Sequence, residues 1–150
     1  METDPADGIR EQPGGDRKKK GNRRSGKEQV AEVRIQDFYA GIGSDYADVE
    51  RRLGSERIVT HFALRFRTDR TYLNLETAVA AGAAEDAFRA AHTLKGVCSN
   101  LGFDRLYRVA ATLTEKLRAG VLAGHEEAFA AVRAEYAALM RQLNAFAGEG

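Results

Sequence analysis

The residues best suited to chemistry lie around His92, where a nucleophile, a cation and a glycine share one short stretch. Lys95 and Gly96 follow His92 at i+3 and i+4, the two spacings that bring side chains together on a helix surface. A phosphoryl group on the imidazole would carry negative charge, which the Lys95 ammonium could screen. A glycine inside a helix costs about 1 kcal/mol relative to alanine. Gly96 therefore indicates room for a large partner to approach His92.

The segment that carries these residues has the apolar spacing of an amphipathic helix starting near Ala83. Apolar residues recur in steps of three and four at Ala84, Ala87, Phe88, Ala91, Leu94, Cys98 and Leu101. This spacing predicts one buried stripe, and at about 100° per residue His92 lies roughly 120° from its centre. His92 is therefore predicted to face water or a partner. The same side of the helix carries Glu85, Arg89, Gly96 and Ser99, with Lys95 nearer the flank, and Gly102 supplies a helix end.

The residues His-Thr-Leu-Lys-Gly at 92–96, followed six residues later by Gly102, resemble the signature of the histidine-containing phosphotransfer (HPt) domains of bacterial multistep phosphorelays. The flanks at 87–91 and 101–106 are also similar to the family's pattern, and the resemblance extends over about 35–146. It implies a four-helix bundle with His92 as the phosphorylated residue. The implied partner is a receiver domain, of a response regulator or a hybrid histidine kinase, whose aspartate exchanges the phosphoryl group. The resemblance places Mg²⁺ on that receiver and no cofactor on this chain.

The expected roles of the site residues follow from these two lines of argument. His92 carries the phosphoryl group and Lys95 screens its charge, while Gly96, Ser99 and Arg89 share the face on which a receiver would dock. The alternative is a non-catalytic helical adaptor that binds a signalling partner. The chain has no Walker-type lysine loop or other ATP-binding pattern, so a phosphoryl carrier is predicted, not an enzyme that phosphorylates itself.

Composition favours a single all-α domain. The chain has 150 residues, of which 43% are hydrophobic, with only two prolines, and its Ala-, Leu-, Glu- and Arg-containing segments favour helix over sheet. A net charge of +1, from 23 basic and 22 acidic residues, gives no general attraction to nucleic acid. The single cysteine and the lack of a long apolar run predict a cytoplasmic protein without membrane association. A monomer is expected.

The chain divides into a tail and a domain. Residues 1–34 are expected to form a disordered polar and basic tail, for which weak attraction to nucleic acid or acidic surfaces is the less favoured role. Residues 35–147 are expected to form the HPt four-helix bundle, up-down-up-down, with short extra N-terminal helices packed across it. The helix after Ser55 is expected to be its first long wall. Thr68 and Asp69 interrupt the apolar pattern, and it is left open whether the stretch from Ser55 to Gly82 forms one kinked helix or two.

The remaining candidates favour structural roles. His61 and His125 lie far from His92 in sequence, and the three histidines lack the His/Cys spacing of a zinc site. His61 is expected at or near the surface of its helix, and His125 at a helix start. Cys98 lies on the predicted buried stripe, where packing is favoured over redox chemistry. We therefore expect no metal site.

Overall fold

The computed structural model describes residues 33–148, so nearly all of the predicted tail lies outside the described residues, and its boundary stays a prediction. Seven α-helices and one short 3₁₀ turn occur in this range. They are α1 (Ile35–Gly41), α2 (Tyr46–Leu53), α3 (Glu56–Arg65), the 3₁₀ turn (Phe66–Thr68), α4 (Thr71–Ala80), α5 (Ala84–Leu101), α6 (Asp104–Leu117) and α7 (Glu126–Phe146). None of these seven helices is long and apolar enough to cross a membrane.

Helices α4 to α7 form a four-helix bundle. Each packs along the next, α4 on α5, α5 on α6 and α6 on α7, and Gly102 and Phe103 alone connect α5 to α6. Such short connections join antiparallel neighbours. The stacked rings of Tyr72 and Tyr136, with centroids 3.9 Å apart, join α4 to α7. The predicted all-α, up-down-up-down bundle is confirmed.

The short helices α1 and α2 pack against the end of the bundle where α5 stops. Tyr39 of α1 donates its hydroxyl to the carbonyl of Leu101 over 2.7 Å, and its ring stacks on Phe103. Gly102 adopts a left-handed conformation with φ of 76°, which ends α5 as the sequence predicts. A Cβ at Gly102 would also overlap Val49 of α2. The glycine thus both ends the helix and admits α2.

The helix after Ser55 is not the first long wall of the bundle. α3 ends at Arg65 and the 3₁₀ turn separates it from α4. Asp69 turns the chain just before α4 by accepting a hydrogen bond from the Thr71 amide over 2.8 Å, and Arg70 occupies the N-cap position. Two helices therefore occupy the segment that the sequence left open. α4, not α3, packs along α5, and α3 leaves Ile58 and Phe62 of its apolar face 40% and 44% exposed.

Candidate functional site

His92 lies on the exposed face of α5. The stripe prediction is confirmed for the five buried side chains of this helix, those of Ala87, Ala91, Leu94, Cys98 and Leu101. Ala84 and Phe88, which were also predicted on the stripe, are only half-buried. Glu85 and Asp86 lie in the first turn of α5, where negative charge interacts favourably with the helix dipole and stabilises the helix. The stripe fixes α5 against α4 and α6, and this rotation of the helix leaves His92 accessible.

Phe88 departs from the predicted stripe. Its side chain is only half-buried and its ring stacks on the imidazole of His92, with centroids 6.0 Å apart and an interplanar angle of 20°. The guanidinium of Arg118 also lies over the Phe88 ring, 5.3 Å from its centroid. Phe88 thus connects the histidine to the residue that caps the C-terminus of α6.

Lys95 is half-buried on the flank of α5, as its position on the helix predicts. It lies near Glu115 of α6, whose carboxyl has a lowered pKa. The main cause is the hydrogen-bonded Arg118, and Lys95 and His92 contribute through their charges. The ammonium therefore lies in a charged neighbourhood that α5 and α6 build together.

Gly96 is exposed, and a Cβ built on it would meet no atom within 4 Å. It borders an open depression whose lining residues are Arg52, Thr93, Gly96, Val97, Ser99 and Asn100. Arg52 reaches this depression from α2 and donates hydrogen bonds to the carbonyls of Ser99 and Asn100, over 3.0 and 3.1 Å. The side of His92 toward the C-terminus of α5 is therefore open.

Arg89 and Ser99 are both exposed on the His92 side of α5. Arg89 pairs with Asp86 of its own helix over 2.8 Å, and it also lies 3.9 Å from Glu85. Ser99 is seven residues beyond His92, about 10 Å along the axis, so a direct hydrogen bond between the two side chains is out of reach. The docking roles of Arg89 and Ser99 stay predictions.

No motif in the sequence indicated Arg118, Glu115 or Arg52. Phe88 at i−4 was a detectable neighbour of His92, but it was assigned to the core. Nothing in the spacing along the chain relates α6 or α2 to His92, because those contacts arise from the packing of different helices. Only the folded chain brings these three charged side chains to the α5 surface.

The other two histidines and the cysteine lie apart from this surface. His61 is exposed on α3, and His125 occupies the N-cap position of α7, with its Nδ1 on the Leu122 carbonyl. Cys98 is fully buried, and burial raises the pKa of its thiol. Within residues 33–148 no group of three or more His, Cys, Asp or Glu side chains could hold a metal ion.

Residues 67–142 match the family model of the Hpt domain. This span is just over half of the chain and contains α4, α5, α6 and most of α7, including His92, Lys95 and Gly96. Helices α1 to α3 precede it. No curated protein and no solved structure matches the chain.

Proposed function

The chain belongs to the Hpt domain family, and from that premise we propose that His92 accepts a phosphoryl group from the aspartate of one receiver domain and passes it to another. The observation that carries this proposal is the exposed position of His92 on α5, beside Lys95 and Gly96, within the span that matches the family. The family implies phosphotransfer in two-component signalling.

The proposed transfer is a displacement at phosphorus. The lone pair of the unprotonated ring nitrogen of His92 forms the P–N bond while the P–O bond to the receiver aspartate breaks. The carboxylate leaves with the bonding electrons, and the proton on the other ring nitrogen remains until water takes it. Transfer onward reverses these bond changes. Because such a reaction depends mainly on positioning and charge stabilisation, an exposed histidine with a nearby cation is suited to it.

The charge and shape of the site suit a partner whose binding centre is acidic and phosphorylated. Lys95 supplies a positive charge about one helical turn from His92, and Gly96 leaves the adjacent surface without a side chain. We infer that any Mg²⁺ in the reaction belongs to the receiver, of a response regulator or a hybrid histidine kinase, and that this chain uses no cofactor. A cytoplasmic monomer remains part of the proposal.

The proposal is tested by mixing the protein with a panel of receiver domains that carry radioactive aspartyl phosphate. We expect label to move to this chain and to be acid-labile and base-stable, as a phosphoramidate is. His92→Gln should abolish labelling with the fold intact by circular dichroism. His61→Gln is the matched control, because His61 is also exposed on a helix but lacks a following Lys-Gly arrangement.

Label on the His92→Gln protein, or labelling that also requires His61, would contradict the assignment of His92. Tight receiver binding without any transfer, unchanged by His92→Gln, would favour the adaptor instead.

A further inference from the structure

The imidazole of His92 has an aromatic neighbour on its own helix. Phe88 lies one turn earlier, and its ring is nearly parallel to the imidazole at a centroid distance of 6.0 Å. Side chains on a helix lean toward its N-terminus, so the His92 side chain lies over the turn that carries Phe88. The separation falls within the range of favourable contacts between aromatic rings. The two rings therefore restrict each other's orientation.

Phe88 is held in turn from α6. The Arg118 guanidinium lies 5.3 Å from its ring centroid, within the range of a cation–π contact. Arg118 donates through Nε and Nη2 to the two carboxylate oxygens of Glu115, over 2.9 and 2.7 Å. Such a bidentate pair favours one plane of the guanidinium, and both side chains are more than half exposed. A continuous series of contacts thus runs from Glu115 through Arg118 and Phe88 to His92.

The two sides of His92 along α5 are unlike. On the side toward the N-terminus the Phe88 ring lies near the imidazole, whereas on the other side a Cβ at Gly96 would meet nothing within 4 Å. An unrestrained exposed histidine loses side-chain entropy each time it is ordered for reaction. Group transfer also needs the reacting atoms aligned. If Phe88 orders the His92 side chain before the partner arrives, less side-chain entropy is lost when the partner docks.

We propose that Phe88 is a positioning residue which, braced by Arg118, holds the imidazole of His92 in the orientation used for phosphoryl transfer. The inference rests on the proposed function of His92. It differs from the role of Lys95, because Lys95 acts through its charge and Phe88 acts through the conformation of the histidine. Removing the Phe88 ring should therefore slow the chemical step without weakening the docking of the receiver.

The first test compares Phe88→Leu with Phe88→Tyr. Leucine keeps an apolar, helix-favouring side chain but removes the flat ring, whereas tyrosine restores the ring. In single-turnover transfer from a phosphorylated receiver, we expect Phe88→Leu to lower the maximal rate about tenfold with an unchanged half-saturating receiver concentration. Phe88→Tyr should retain a near wild-type rate. In NMR of histidine-labelled protein, three-bond couplings about χ1 should show a less populated dominant His92 rotamer in Phe88→Leu only.

A second test removes the guanidinium that lies over Phe88 and leaves the half-buried ring itself unchanged. Arg118→Gln should lower the maximal rate about threefold, a smaller loss since the ring itself remains. Arg133→Gln is the matched control, because Arg133 also lies over a phenylalanine, 5.0 Å from the Phe129 centroid, and also pairs with a glutamate, Glu76. That control should transfer at the wild-type rate.

The inference is overturned if Phe88→Leu keeps both the wild-type maximal rate and the wild-type His92 rotamer population. If Phe88→Leu does not fold, Arg118→Gln is judged by the same two measurements. An increased half-saturating concentration with an unchanged maximal rate would also overturn it, since Phe88 would then be a docking residue. The NMR measurement needs no receiver. If wild-type protein accepts no phosphoryl group, the proposed function fails, while the effect of Phe88 on His92 is still read from the couplings.

Discussion

Replacing Gly96 by alanine should change stability and phosphoryl transfer in opposite directions. Gly96 lies inside α5, and an added Cβ meets no atom within 4 Å, so the substitution carries no steric cost. Alanine reduces the conformational freedom of the unfolded chain, which should stabilise the fold by about 0.5 to 1 kcal/mol. For a folded region of this size, that corresponds to a rise in Tm of roughly 2 to 6 °C.

The same methyl group would stand at i+4 from His92, on the side that Phe88 leaves open. A receiver that brings its aspartyl phosphate to the imidazole must approach that surface closely, so transfer should slow although the protein becomes more stable. Gly96→Gln is still compatible with a helix and much larger. The loss of transfer should therefore grow from alanine to glutamine, to about tenfold or more.

Thermal melts and single-turnover transfer measure both quantities on the same proteins. Gly102→Ala is the matched stability control, because it is also a glycine-to-alanine change at α5 but at φ of 76° and against Val49. Strain and overlap together should destabilise it by about 2 to 4 kcal/mol. Unchanged transfer for both Gly96 variants would refute the close approach of a partner, and a fall in Tm for Gly96→Ala would refute the stability argument.

Three further predictions concern single side chains. Lys95→Ala should slow transfer or shorten the phosphohistidine lifetime while changing the free energy of unfolding by less than about 0.5 kcal/mol, and equal rates and lifetimes would remove Lys95 from the mechanism. Tyr39→Phe removes the buried hydroxyl that donates to the Leu101 carbonyl over 2.7 Å, so urea unfolding should show a free energy of unfolding lower by about 1 to 3 kcal/mol. An unchanged midpoint of unfolding would mean that this hydrogen bond contributes nothing to stability. Burial raises the pKa of the Cys98 thiol, so an aromatic disulfide reagent should modify it only in denaturant, and rapid modification of native protein would show that α5 opens readily.

The local signals in the sequence were sufficient for α5, α6 and α7 and for the all-α class of the fold. Periodic apolar residues, a positive-φ glycine at Gly102 and short connections each act over a few residues, so a pattern along the chain can reveal them. The side of α5 on which His92 lies follows from that stripe alone. Whether Lys95, Gly96, Ser99 and Arg89 act in transfer and docking stays a prediction, because exposure is necessary for those roles but does not demonstrate them.

The neighbourhood of His92 depended on tertiary structure. Apolar spacing placed Phe88 in the core and α3 in the bundle wall, because periodicity reports which face of a helix is apolar but not which helix covers it. In the fold α4 covers α5, α3 keeps Phe62 exposed, and Phe88 lies at the edge where the end of α6 arrives. Arg118 and Glu115 reach the site only through that packing, 26 and 23 positions along the chain from His92. Contacts of this kind are fixed by how separate helices meet, and no spacing within one helix encodes them.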